Sequence, residues 1–141
     1  DEALAQGAKV LAGGSSESIA EGIFFQPTLL VQVNNSMRIM QEENFGPLLP
    51  IMKVEGMQEA VALVNDSPYG LTSAIFTTDE KLAKEFSDGV EVGTVFMNRC
   101  DYLDPALPWT GYKNSGCGSS LSKYGFYNLT RLKSLHFKTK I

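Results

Sequence analysis

Between residues 48 and 97 the chain alternates compact apolar runs with apolar residues spaced three and four apart. Leu48-Leu49-Pro50-Ile51-Met52-Lys53-Val54 reads as a buried strand, with Pro50 marking an edge or a bulge. Met57, Ala60, Val61 and Val64 then fall at i, i+3, i+4 and i+7, the stripe of a core-facing helix. The turn residues Asn65-Asp66-Ser67-Pro68-Tyr69-Gly70 stop that helix. Residues 71–77 predict the next strand. Thr77 and Glu80 have the spacing of a capping box, and Leu82, Ala83 and Phe86 mark a second amphipathic helix. Val92-Gly93-Thr94-Val95-Phe96-Met97 predicts the third strand. Strands alternating with helices of this length predict an α/β fold, a parallel βαβαβ sheet with right-handed crossovers.

The flanks are less regular. Residues 1–7 read as the last turns of a helix stopped by Gly7, which leads us to expect that the chain opens inside a longer protein. Two apolar runs, 8–12 and 24–33, are separated by Gly13-Gly14-Ser15-Ser16. Pro27 suits a strand start or an edge position. Residues 98–118 predict a long irregular loop leaving the third strand at its carboxyl end, where open parallel sheets bind ligands. That loop holds Tyr102, Leu103, Leu107 and Trp109 among Asp101 and Asp104. Residues 121–129 predict a short helix and 133–139 a terminal strand with weak alternation.

Composition narrows the function classes. The 141 residues suit one domain, with 43% hydrophobic and 20% charged residues. Twelve basic and sixteen acidic residues leave a net charge of -4 without the basic stripe a nucleic-acid surface needs. No apolar run approaches the ~20 residues of a membrane span. The N-terminus carries no signal-peptide pattern. Two cysteines make no disulfide framework and point to a reducing compartment, so the expected location is cytoplasmic. With His136 the only histidine and no Cys-x-x-Cys, no metal site is expected.

Candidate chemistry is sparse. Gly116-Cys117-Gly118 follows a loop and has Leu121 where a dinucleotide fingerprint needs glycine. Cys100 lies beside Arg99, whose charge favours a thiolate, but no histidine is near in sequence, and a loop cysteine without a covalent role is the plainer reading. Cys117 is weaker still. His136 reads as a packing or surface residue. Trp109 either caps the core or lines a pocket. Glu42 and Glu43, in Gln41-Glu42-Glu43-Asn44-Phe45-Gly46-Pro47, read on composition alone as solvated loop charges.

Several segments in order change that reading. Gly7-Ala8-Lys9 with Gly13-Gly14, Gly22-Ile23-Phe24-Phe25-Gln26-Pro27-Thr28, Glu42-Glu43-Asn44-Phe45-Gly46-Pro47, Asn65 to Leu71, Gly93 to Asn98, and Lys113-Asn114-Ser115-Gly116-Cys117-Gly118 together resemble the aldehyde dehydrogenases over essentially the whole chain. The resemblance implies the C-terminal part of the catalytic domain over residues 1–129 and an oligomerisation strand over 130–141. The NAD-binding domain, the nucleophilic cysteine and the general-base glutamate would all lie upstream, leaving no catalytic residue in this chain.

By the same resemblance, Glu43 would accept hydrogen bonds from the paired hydroxyls of the nicotinamide ribose of NAD or NADP, and Phe45 would pack against ribose and ring. Leu103 and Trp109 would fall on the substrate-tunnel wall. The reaction implied is oxidation of an aldehyde to a carboxylic acid through a cysteine thioester, in a homo-oligomer, dimer or tetramer, paired through the C-terminal strand. Trp109-Thr110-Gly111 stands where Phe-Gly-Gly is common in the family, so the aldehyde pocket is reshaped. Asp101 and Asp104 mildly disfavour a carboxylate-bearing aldehyde, and Arg99 counters them. The isolated chain is expected to be inactive. The competing readings are a stand-alone, non-catalytic α/β binding or assembly module and, less well supported, a thiol-dependent acyl enzyme using Cys100.

Overall fold

The computed structural model describes residues 1–100 and 102–141. The chain forms two compact units, Asp1–Ser67 and Pro68–Ile141.

In the first unit, α1 (Glu2–Ala5) is a single turn that ends before Gly7, whose φ of +102° lies in the left-handed region glycine tolerates. It is followed by β1 (Lys9–Ala12), β2 (Ser16–Ile19), β3 (Gly22–Phe25), β4 (Thr28–Val31), α2 (Arg38–Gln41), β5 (Leu48–Ile51) and α3 (Met57–Asn65). β4 is central, antiparallel to β1 and parallel to β5 in the register Thr28↔Leu48 to Val31↔Ile51. The apolar run expected over 24–33 is divided at Pro27, which has no N–H to continue a ladder. β3 pairs instead with β2 as a hairpin. Pro50 is accommodated because β5 is the last strand of its sheet.

The core of this unit lies under β4. Met37 is 1% exposed and clusters with Ala3, Ala8, Leu30 and Val33, with Ile39, Met40 and Met52 packed against them. Thr28 is the one buried polar residue among those described. Its hydroxyl donates to Gln26 O and accepts from Gly14 N, both at 2.8 Å, so burial leaves nothing unpaired. α3 forms where the apolar stripe predicts it, but none of its residues is fully buried.

The second unit begins with β6 (Tyr69–Gly70) and β7 (Thr72–Ile75), then α4 (Glu80–Gly89) and β8 (Thr94–Met97). β7 and β8 are parallel, from Thr72↔Thr94 to Ile75↔Met97, with α4 as the crossover. Ala83 and Phe86 on α4 are buried, as are Val90 and Phe96. The cap of α4 differs from expectation. Asp79 caps it, accepting from Lys81 N at 2.8 Å and Leu82 N at 3.3 Å, because the helix starts at Glu80 and the N-cap must precede it. Thr77 instead accepts from Asp79 N at 3.1 Å and shapes the approach.

The α/β class holds, with its parallel pairs distributed as β4–β5 and β7–β8. The strand expected over 48–54 thus finds its partner in β4 rather than in the strand that follows α3.

Residues 98–118, expected as irregular loop, carry β9 (Trp109–Thr110) and β10 (Tyr112–Lys113). β9 pairs with β11 (Ser119–Ser120), and β10 with β6. α5 (Ser122–Tyr127) supplies the short helix predicted there. Residues 133–139 form no strand here. Residues 130–141 are exposed and without regular structure, with Leu135 67% and Phe137 77% exposed. A strand needs a partner for its N–H and C=O groups, and no described residue pairs with this segment.

Candidate functional site

The loop from Glu42 to Pro47 joins α2 to β5, and two local devices shape it. At its start, Arg38 reaches one turn along to Glu42. Nε donates to Oε1 at 2.9 Å and Nη2 to Oε2 at 2.7 Å, a bidentate i,i+4 pair. That hydrogen-bonded guanidinium holds the Glu42 carboxyl below the usual carboxylate range, and the same contact raises Arg38. Further on, Asn44 closes an Asx turn. Its Oδ1 accepts from Gly46 N at 2.9 Å, and its Nδ2 donates to Leu48 O at 3.2 Å. Thr28 N donates to Pro47 O at 2.8 Å, which fastens the loop's end to β4.

The consequence falls on the two residues in between. Glu42 has extended backbone, φ -99° and ψ 144°, and successive side chains of extended backbone point to opposite sides. With Glu42 committed to Arg38, Glu43 is exposed and makes no hydrogen bond or ion pair among the described residues. Phe45, in the middle of the Asx turn, is 95% exposed. Glu43 and Phe45 line one open cavity of about 510 Å³, together with Glu42, Asn44, Phe25 and Leu48. An uncommitted carboxylate and a bare aromatic ring, close together on a backbone-fixed loop, fit a polyhydroxylated ligand with a flat face. The carboxylate accepts paired hydroxyl donors and the ring stacks.

The second candidate region, residues 98–118, is built differently. At the end of β8, Asn98 adopts a left-handed φ of +56° and clamps Thr77. Its Oδ1 accepts from Thr77 N at 2.9 Å and its Nδ2 donates to Thr77 O at 2.8 Å. Arg99 stacks over the Tyr102 ring at 3.8 Å from its centroid. Asp104 accepts from Ala106 N at 2.9 Å. Asp101 lies outside the described residues.

Farther along, Trp109 is half-buried in β9, opposite Ser120, and Thr110 Oγ1 donates to Gly118 O at 2.6 Å. The backbone of Thr110 lies directly on Gly93, where a Cβ would stand 1.6 Å from the Thr110 carbonyl oxygen. Trp109 lines a cavity of about 460 Å³ with Leu71, Thr110, Cys117, Ser119 and Asn128. Leu103 is 58% exposed and does not line that cavity.

The structure therefore brings Glu43 and Phe45 together on one cavity. Cys100 and Cys117 are both free and exposed, and His136 lies in the exposed tail. No helix among the described residues is long and apolar enough to cross a membrane. Three contributors escaped the sequence reading. Arg38 was signalled by its four-residue spacing to Glu42. The clamp of Asn98 on Thr77 and the contact of Gly93 with Thr110 join residues 21 and 17 apart, and no local pattern marks such pairs.

The model of the aldehyde dehydrogenase family matches residues 1–135. The chain is 38% identical over 133 residues to a probable betaine aldehyde dehydrogenase of Schizosaccharomyces pombe, covering 94% of this chain and 27% of that protein. It is 41% identical over 134 residues to an aldehyde dehydrogenase of Paenarthrobacter nicotinovorans, covering 95% and 29%. Among solved structures, betaine aldehyde dehydrogenase from Staphylococcus aureus in complex with NAD+ superposes with a TM-score of 0.82 at 39% identity, over 90% of this chain and 26% of that one. The chain thus spans little more than a quarter of the length of the relatives it matches. On the family match and these identities, the chain belongs to the aldehyde dehydrogenase family.

Proposed function

We propose that this chain is the part of an NAD(P)-dependent aldehyde dehydrogenase that holds the nicotinamide ribose and contributes to the aldehyde pocket. The observation that carries the reading is the division of labour in the loop. Glu42 is tied down by Arg38, while Glu43 beside it is uncommitted and Phe45 is bare. Glu43 accepts the two ribose hydroxyls, which a carboxylate does with both oxygens at once. Phe45 restricts where the nicotinamide ring can lie, and misplacement of reacting groups by about 1 Å costs on the order of a hundredfold in rate. When bound, the dinucleotide supplies the hydride acceptor. Trp109 and Leu103 shape the space for the aldehyde.

In this reading the nucleophilic cysteine, and with it the thioester chemistry, belongs to a preceding part of the polypeptide. The protein is cytoplasmic, consistent with its two free cysteines. Residues 130–141 pair with a neighbouring subunit. Leu135, Phe137, Thr139 and Ile141 alternate with Ser134, His136, Lys138 and Lys140, which gives that arm one mostly apolar face once a partner supplies the ladder.

The test is expression of the longest reading frame that contains this chain, beside the 141 residues alone. The long form is expected to reduce NAD or NADP in the presence of aldehydes, and the short form is expected not to. Turnover by the short form, or none by the long form with any of a panel of aldehydes and either dinucleotide, would defeat the reading. Removal of residues 130–141 from the long form is expected to lower its mass by light scattering toward that of a single subunit.

A further inference from the structure

We propose that Asn98 is a positioning residue for the aldehyde pocket. Its side-chain amide replaces the next rung of the β7–β8 ladder, and this sets the direction in which the segment carrying Leu103 and Trp109 leaves the sheet. The inference rests on the function proposed above, which assigns Leu103 and Trp109 to the aldehyde.

The ladder itself continues one bond past β8, with Asn98 N donating to Ile75 O at 2.9 Å. By the register of the ladder, its next bonds, to the N–H and C=O of Thr77, would ordinarily come from the C=O of Asn98 and the N–H of Cys100. The Asn98 amide makes both, with acceptor and donor each in place. The backbone is thereby released from the sheet without leaving either Thr77 group unpaired. The φ of +56° then turns the chain away at that residue.

Asparagine combines what this position asks. It carries a donor and an acceptor on a short side chain, and it tolerates the left-handed region better than other residues with a Cβ. Aspartate lacks the donor. Glycine adopts the turn and lacks the clamp. Alanine lacks the clamp and is strained.

Between Asn98 and β9, the backbone bonds among the described residues are local or run to the start of α5: Leu107 N to Asp104 O and Ser122 N to Pro105 O. The course of the segment between Asn98 and β9 is therefore set largely at its ends, by the Asn98 clamp on one side and the Gly93–Thr110 contact on the other. Thr77 also receives Asp79 N on its hydroxyl, and Asp79 caps α4, so the clamp is anchored to a fixed point.

The experiment compares Asn98→Gly and Asn98→Asp with the parent in the longest reading frame, by two readouts. The first is kcat/KM across aldehydes of increasing size. Asn98→Gly is expected to lose about 100-fold with bulky aldehydes and progressively less as the aldehyde shortens, the scale set by misplacing a reacting group by about 1 Å. Asn98→Asp, which keeps the acceptor, is expected to recover part of that loss.

The second readout is amide hydrogen exchange. It should accelerate over residues 99–111 in Asn98→Gly while residues 72–75 keep the parent's rates. An unchanged size preference in Asn98→Gly would overturn the proposal, because the turn alone would then suffice. Equal losses on every aldehyde with faster exchange throughout the second unit would overturn it too, as the mark of a merely structural role. If the long form oxidises no aldehyde, the proposed function fails by itself. The exchange pattern then decides alone, and parent-like rates over 99–111 would refute the control of that segment by Asn98.

Discussion

The loop at residues 42–47 and the segment at 98–118 are both irregular, yet opposite means hold them. Up to its end, which Thr28 fastens to β4, the first is shaped by neighbours in sequence: Arg38 on Glu42, four residues away, and Asn44 on Gly46, two residues away. The second is shaped by distant backbone. Asn98 grips Thr77, Thr110 lies on Gly93, and β10 pairs with a strand as far as 44 positions away, from Lys113 to Tyr69. A loop that organises itself can leave its functional side chains unpacked, as Glu43 and Phe45 are. A segment strapped by remote contacts holds a large side chain such as Trp109 half-buried and fixed. On the function proposed above, the first form suits reversible capture of a dinucleotide, and the second suits a shaped wall.

The contrast breaks most directly at Gly93. A Cβ there would meet the Thr110 carbonyl oxygen at 1.6 Å, and that oxygen belongs to backbone rather than to a flexible side chain. Either β8 or β9 must move. Gly93→Ala is expected to lower stability to urea by about 3 kcal/mol, at the upper end for overpacking. Gly56→Ala is the control. Nothing lies within 4 Å of its Cβ and its φ of 175° is ordinary extended backbone, so the change should cost only the N-cap preference of α3 for Gly over Ala, about 1 kcal/mol. Equal unfolding midpoints for the two variants would mean that remote backbone contacts do not strap the 98–118 segment.

A smaller effect is expected from the self-organised loop, and it should fall on binding rather than on stability. Glu43→Gln keeps the shape and removes the charge. Charge-assisted hydrogen bonds contribute about 1.5–3 kcal/mol, so the KM for dinucleotide in the long form should rise about tenfold or more. Glu42→Gln, which disturbs only an exposed pair with Arg38, should change it by less than about threefold. A reversed order, with Glu42 the sensitive residue, would assign the ribose to the wrong carboxylate. Unfolding midpoints are expected to stay near the parent's in both.

The same division explains what the sequence disclosed. Periodicity located α3 and α4 and the strands around them, because helix and strand spacing is written in consecutive residues. The segment 42–47 was singled out by its resemblance to a family motif, because the residues alone read as solvated loop charges. Sequence could not show that β5 pairs with β4, since register between separated strands leaves no mark in either one alone. It did not show β9 and β10, two-residue strands whose existence depends on partners at 119–120 and 69–70. The cap of α4 went to Asp79 rather than Thr77 because the helix starts at Glu80, a boundary that side-chain competition decides. Leu103 and Trp109 were grouped by the family resemblance, and no local pattern foretold that Trp109 is held in a ladder with Ser120 while Leu103 lies outside any strand.

The finest test uses pH to ask whether Glu42 is committed to Arg38. In the folded chain the hydrogen bond from Arg38 holds the Glu42 carboxyl below its ordinary value of 4.5. A carboxyl lowered on folding contributes stability above its unfolded value, and that contribution is lost as pH falls through the lower, folded value. Arg38→Gln should therefore move the Glu42 titration, followed by NMR, upward toward 4.5. It should lower stability slightly at neutral pH and leave it unchanged once Glu42 is protonated, so the acid limb of the profile becomes shallower. The pair is exposed, with side chains 68% and 59% accessible, so the effect on stability is expected to be slight and to fade with added salt. Its value lies in direction. An unmoved Glu42 titration in Arg38→Gln would show that Glu42 is as free as Glu43, and that both carboxylates, not one, are available to a ligand.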